Sequence, residues 1–108
     1  MPVSLESNVE IWAAEVEAMP RADYYMEITS ALVVRDVIQD ALNAGAKLAS
    51  EYRAKLRDAD EAFWAQREEL VAKFPDVFTP ARQEAGPSSY WWWFLNEGPD
   101  ARKRREAA

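Results

Sequence analysis

The stretch ALNAGAKL, residues 41–48, decides whether the chain builds one long helix or two shorter ones. Asn43 and Gly45 are residue types that end helices, and glycine in a helix interior costs about 1 kcal/mol relative to alanine. Residues 46–48 offer no Ser, Thr, Asp or Asn to cap a new helix, and the apolar heptad phase continues across the glycine. On this balance the sequence favours a continuous or kinked helix over roughly residues 24–74.

The two outcomes have different consequences for assembly. A continuous helix of that extent would be about 75 Å long, whereas a compact domain of this size has a radius of gyration near 13 Å. Such a helix would need a second chain to cover it. A break at residues 43–46 would instead permit a monomeric bundle of three or four helices.

A heptad register runs outward from this stretch in both directions. Its first position is apolar except at Arg35, and its second position is small or mixed. The first comprises Ile28, Arg35, Leu42, Ala49, Leu56, Phe63 and Leu70, and the second comprises Ala31, Ile38, Gly45, Tyr52, Ala59, Gln66 and Lys73. This composition indicates the seam of a helical hairpin or bundle, because a two-stranded coiled coil favours Leu with Ile or Val at both positions.

The segment before Gly45 is apolar on nearly all sides, which predicts a helix buried on several faces. Its apolar residues are Leu32, Val33, Val34, Val37, Ile38, Ala41 and Leu42. The segment after Gly45 is highly charged and is predicted to be buried along one stripe only.

An earlier helix is predicted over residues 5–19. Ser7 followed three residues later by Glu10 is a capping-box pattern, and apolar residues recur at a 4-3-4-3 spacing. Pro20 ends this pattern. Asp23 is the next plausible N-cap, and it precedes the long heptad segment.

The C-terminal third is divided by prolines and glycines. Pro75 ends the long helix, and the pair Thr79–Pro80 with Gly86–Pro87 predicts a short helix between them. The stretch SSYWWWFLNEG, residues 88–98, follows. Its composition is strand-like, but its caps favour a short helix.

The tryptophan stretch holds the candidate binding residues. On a wheel of about 100° per residue, Tyr90, Trp91, Phe94 and Leu95 form one arc. Trp92 and Trp93 flank the polar side and are harder to bury within the chain. Since tryptophan and tyrosine are enriched at interface hot spots, Trp92, Trp93 and Tyr90 are predicted to contact a partner; burial as ordinary core is the equally weighted alternative.

Composition excludes several chemistries. The 108 residues contain no cysteine and no histidine, which excludes disulfides, thiolate metal sites, most zinc sites and Ser-His-Asp triads. Of the helical carboxylate pairs, Asp58-x-x-Glu61 alone resembles half of a magnesium site, and Glu97-x-x-Asp100 crosses Gly98 and Pro99. Solvated helix faces explain these carboxylates better, so neither a catalytic site, a metal nor a cofactor is predicted.

Charge is distributed unevenly along the chain. The net charge is −6, yet the last eight residues, ARKRREAA, carry four basic groups and one acidic group. The basic residues are Arg102, Lys103, Arg104 and Arg105. A solvated tail is the favoured interpretation, and contact with nucleic acid, a membrane surface or an acidic partner is the alternative.

The sequence therefore predicts an all-α protein, a helical hairpin or small bundle built on one long helix with short C-terminal helices. Residues 1–100 would form a single helical domain and residues 101–108 a basic tail. The predicted role is a non-enzymatic interaction protein, such as an adaptor, assembly factor or small regulatory subunit, that forms a homo-oligomer and binds a protein partner. A cytoplasmic location is expected, since neither a classical signal peptide nor a membrane span is recognised.

Two alternatives remain open at this point. One is a helical domain that binds a small molecule or a metal–nucleotide complex, with the tryptophans lining an apolar pocket. The other is a nucleic-acid-associated protein of viral or mobile-element type that acts through the basic tail.

Overall fold

The computed structural model describes residues 3–80 and 86–107. Over these ranges the chain forms five α-helices joined by loops and 3₁₀ turns, with no strand, which confirms the all-α prediction. The helices are α1 (Leu5–Ala18), α2 (Tyr25–Asn43), α3 (Ser50–Ala65), α4 (Arg67–Lys73) and α5 (Pro99–Ala107). The 3₁₀ turns are Met19–Arg21, Pro75–Phe78, Trp91–Trp93 and Leu95–Glu97. None of the helices in this part of the chain is long and apolar enough to cross a membrane.

The chain divides into two compact units, residues 1–63 and residues 64–108, and the boundary lies near the C-terminal end of α3. We refer to them as the N-terminal unit and the C-terminal unit. The division places the predicted basic tail in the same unit as the tryptophan stretch.

The prediction of a helix running through Gly45 is wrong. Gly45 has φ of 101°, and its N–H donates to the Leu42 carbonyl at 3.1 Å, while the N–H of Ala46 donates to the Ala41 carbonyl at 3.0 Å. These two hydrogen bonds are those of a Schellman motif, which satisfies the last carbonyls of a helix and requires a left-handed residue. The chain then leaves the helical path, and α3 begins only at Ser50.

The helix starts also differ from the sequence prediction. Ser4, and not Ser7, is the N-cap of α1, because its hydroxyl accepts the Ser7 N–H at 3.1 Å. At α2 the Glu27 carboxylate accepts the backbone N–H groups of Asp23 and Tyr24 at 2.9 and 3.1 Å. A carboxylate in the first turn suits the positive end of the helix dipole.

The core of the N-terminal unit follows the predicted apolar stripes within each helix. Its buried residues include Val9, Trp12 and Val16 from α1, Ile28, Ala31, Leu32 and Ile38 from α2, and Leu56, Ala59 and Phe63 from α3. The Trp12 and Phe63 rings are 5.2 Å apart between centroids. The heptad register does not hold between helices, since Gly45 and Ala49 are exposed.

An ion pair between the buried Arg35 and the partly buried Asp60 joins the three helices of this unit. The Asp60 carboxylate of α3 accepts from Arg35 Nε at 2.9 Å and Arg35 Nη2 at 3.0 Å. One of its oxygens also accepts the Trp12 indole N–H of α1 at 2.9 Å. Arg35 Nη1 donates in turn to the Gln39 side-chain oxygen at 3.2 Å. Arg35, the one charged residue at the first heptad position, is therefore hydrogen-bonded through Nε and both terminal nitrogens.

Removing one member of this pair is expected to be costly, because the other charge stays buried without compensation. Asp60→Ala should lower the free energy of unfolding by about 3–5 kcal/mol. Asp58→Ala is the matched control, since Asp58 is exposed on the same helix beside Arg57, and it should change stability by less than about 0.5 kcal/mol. Urea melts followed by far-UV circular dichroism measure both, and equal losses would contradict this account.

Candidate functional site

The tryptophan stretch is helical but does not form an α-helix. Residues Trp91–Trp93 and Leu95–Glu97 are two 3₁₀ turns separated at Phe94, whose φ is −119°. The Phe94 N–H donates to the Trp91 carbonyl at 2.9 Å, and the Glu97 N–H donates to the Phe94 carbonyl at 3.0 Å. The bonds therefore join residues three apart, as 3₁₀ geometry requires.

The burial of these side chains follows the same three-residue spacing. With three residues per turn, Trp91 shares a direction with Phe94, Trp92 with Leu95, and Trp93 with Asn96. The first two pairs are buried, Trp93 is half-buried and Asn96 is exposed. Trp92 is only 2% exposed, so the prediction that it flanks the solvent side is wrong.

The buried rings form one aromatic cluster in the C-terminal unit. Tyr90 stacks on Trp92 with centroids 4.7 Å apart, and Trp91 meets Trp92 edge-on at 5.8 Å. Trp64, at the start of this unit, meets Trp91 edge-on at 5.9 Å. Tyr90 and Trp92 are thus packed within their own chain, and Trp93 keeps part of its indole accessible.

The predicted basic tail is the ordered helix α5, with Ala101 buried. The Arg102 guanidinium lies 3.9 Å from the Trp91 ring centroid and 4.9 Å from that of Trp64. Arg105 lies 3.4 Å from the Phe94 centroid. This packing could not be predicted from the sequence, because an arginine that covers an aromatic ring does not contribute to a periodic apolar pattern.

Hydrogen bonds hold Arg105 in the same place. Its Nε and Nη2 donate to the two oxygens of Glu97 at 2.8 and 3.0 Å, and its Nη1 donates to the Ser88 carbonyl at 2.8 Å. Of the four basic residues predicted to make electrostatic contacts, Lys103 and Arg104 are exposed, whereas Arg102 and Arg105 are committed to the fold.

These contacts predict that α5 stabilises the C-terminal unit. Arg102→Ala should cost about 1–2 kcal/mol through the lost ring contacts, and Arg105→Ala about 1.5–3 kcal/mol through the lost charged hydrogen bonds. Lys103→Ala and Arg104→Ala are matched controls on the same helix and should stay within about 0.5 kcal/mol. Tryptophan fluorescence during denaturation suits this measurement, since four of the five tryptophans lie in the C-terminal unit. Four equal effects would contradict the assignment.

The aromatic cluster gives a second prediction. Trp92→Ala should cost about 3–5 kcal/mol, the usual range for a buried aromatic residue. Trp93→Ala should cost clearly less, because the half-buried ring loses less apolar contact. Denaturant melts compare the two neighbours directly, and a larger loss at Trp93 would overturn the three-residue periodicity.

The second feature of interest is the outward face of α2, formed by Met26, Val33 and Val37. These residues are 49%, 52% and 47% exposed. At about 100° per residue they fall within a sector of about 40°, on the side opposite Ile28 and Arg35, which are buried. The prediction that this helix is buried on several faces is therefore wrong: one apolar face packs and the other is open.

A groove adjoins this face near the start of α2. Its volume is about 680 Å³, and it is lined by Glu15, Ala18, Met19, Arg21, Ala22, Tyr24, Met26, Glu27, Ile28 and Ser30. Met26 belongs to both features, so the groove adjoins the outward face of α2, and the exposed Ser30 lies between Met26 and Val33. In the sequence, residues 32–42 are apolar on nearly all sides of the helix. That pattern predicts burial on several faces, whereas part of it forms this exposed surface.

Acidic groups dominate the N-terminal unit, which contains 12 acidic and six basic residues. Several of these acidic groups raise the pKa of Tyr52. The charge of Glu10 is the main cause that raises the pKa of the Tyr52 phenol, followed by desolvation and by the charges of Glu51 and Glu6. A negative field disfavours the phenolate and attracts cationic ligands.

Over residues 3–80 and 86–107 no group of three or more His, Cys, Asp or Glu is placed to hold a metal ion. Asp58 and Glu61 lie exposed on α3. The helix predicted between Thr79 and Gly86 falls mainly on residues 81–85, outside the described residues.

The fold and these surfaces define an all-α protein with a packed aromatic cluster in one unit and an open apolar helix face in the other. No family model matches the chain, and no curated protein or solved structure matches it. Function is therefore inferred from the residues and geometry described above.

Proposed function

We propose that the chain is a non-enzymatic helical interaction protein whose partner-binding surface is the outward face of α2. The observation that carries this proposal is the exposure of Met26, Val33 and Val37 on one side of a 19-residue helix. An apolar patch rimmed by polar residues typically marks a contact surface. An adaptor, an assembly factor or a small regulatory subunit would use such a surface.

The location of this surface differs from the one that the sequence suggested. Tyr90 and Trp92 are buried in the aromatic cluster, which leaves Trp93 as the accessible part of the tryptophan stretch. We propose Trp93 as a secondary contact at most. The outward face of α2 presents three exposed apolar side chains, whereas the tryptophan stretch presents only part of the Trp93 indole.

The nucleic-acid alternative is weaker than the charge of the tail suggested. Arg102 and Arg105 contact aromatic rings and Glu97 within the C-terminal unit. Lys103 and Arg104 are the exposed pair, and two cationic side chains neutralise too few phosphates for firm binding at physiological salt.

Site-specific photocrosslinking tests the proposed surface. A benzophenone amino acid at position 33, in cells that express the chain natively, should yield a discrete adduct with a partner or with a second copy. The same group at position 17 is the matched control, because Glu17 is exposed on α1 and does not line the groove. Val37→Ser should reduce the position-33 adduct severalfold while stability changes by less than about 0.5 kcal/mol. An adduct at position 17 and none at position 33 would refute the proposal.

A further inference from the structure

We infer that the occupant of the outward α2 face is a basic amphipathic helix of another protein. This inference rests on the proposed function and adds the chemistry of the partner. It is carried by the shape of the apolar surface together with the sign of the charges on both of its flanks.

The apolar surface has the dimensions of a helix-binding site. Met26 and Val37 are eleven positions apart, which corresponds to about 16 Å along the helix axis. That distance matches about three turns of a partner helix, which would present anchors at i, i+3 or i+4, and i+7. The groove beside Met26 extends the surface and has room for a larger terminal side chain.

Acidic residues flank this surface on one side near Met26 and on the other side near Val33 and Val37. Glu15 and Glu27 lie on the groove side. On the helical wheel Asp36 and Asp40 lie on the other side of Met26, Val33 and Val37. Lys or Arg residues on the borders of a partner's apolar stripe would therefore meet carboxylates on either side, which favours both register and association rate.

Two arginines belong to this region. Arg21 lines the groove together with Glu15 and Glu27, whereas Arg35, on the same helix as Glu27, is buried against Asp60. The N-terminal unit carries 12 acidic and six basic residues, which leaves it six charges negative.

The same charge disfavours two other occupants. A second copy would bring another N-terminal unit that is also six charges negative against the first, and like charges at an interface are costly. An anionic membrane surface would be repelled for the same reason. A basic helix gains from both the apolar contacts and the acidic rim.

A pair of synthetic peptides tests the inference on the full chain. The probe is a helix of Leu and Lys, about 14 residues or four turns long, with leucines on one face. Its matched control replaces every Lys with Glu. Isothermal titration should show one Leu/Lys peptide bound per chain, with at least about tenfold weaker binding of the Leu/Glu peptide, a difference of about 1.4 kcal/mol.

Two double variants separate the apolar and electrostatic parts of the contact. V33S/V37S should weaken Leu/Lys binding at least about tenfold. D36N/D40N should weaken it severalfold and reduce its dependence on salt, because fewer carboxylates face the peptide. E17Q removes an exposed carboxylate of α1 that does not line the groove, and it should leave binding unchanged. Circular dichroism confirms that each variant is folded.

Four results would overturn the inference. Unchanged binding in V33S/V37S would mean that charge alone attracts the peptide. Equal binding of the Leu/Glu peptide would mean that the acidic residues beside the surface do not select a basic helix. Light scattering that shows a dimer abolished by V33S/V37S would identify a second copy as the occupant. A position-33 crosslink to a partner without a basic helix would refute this inference alone, whereas no adduct at position 33 would refute the proposed function.

Discussion

The bidentate contact between Arg35 and Asp60 is the constraint on which the N-terminal unit depends. A charge carried into an apolar core must find its partner there, and this pair recruits the Trp12 indole as well, so that α1, α2 and α3 meet at one carboxylate. The pair also fixes the rotation of α2. Because Arg35 must point inward, Val33 and Val37 lie on the opposite side, and an otherwise ambiguous apolar helix acquires one packed face and one open face.

Periodic patterns predicted most of what each helix buries. Ile28, Leu56 and Phe63 are buried as the heptad register requires, since a stripe of apolar side chains decides which side of a helix leaves water. The register could not decide whether the helix continued through Gly45. Continuation depended on two hydrogen bonds to the carbonyls of Ala41 and Leu42, and a C-terminal cap of this kind is compatible with an uninterrupted apolar phase on either side of it.

The tryptophan stretch shows a different limit of sequence reasoning. A wheel of about 100° per residue placed Trp91 toward the core and Trp92 toward solvent, whereas the structure buries both within one 3₁₀ turn and leaves Trp93 half-buried. The choice between these helices depends on what packs around them. Here the nearby groups include Trp64, 27 positions before Trp91, and Arg102, whose guanidinium faces both rings. Contacts between such distant and dissimilar residues leave no periodic signal.

The result is a separation between the residues that stabilise the chain and those proposed to act. Most of the aromatic side chains that were predicted to bind a partner are packed within the chain. Two of the arginines that were predicted to make electrostatic contacts, Arg102 and Arg105, cover aromatic rings. The open apolar side chains are the smaller ones of α2, and they lie in the unit that also holds the excess negative charge. Apolar contact supplies affinity without selecting a partner, while charge selects partners and adds less affinity. Under the proposed function, a surface that combines Val33 and Val37 with nearby carboxylates would discriminate among amphipathic helices by the charge along their borders, and the residues that make the contact would be separate from those that form the core.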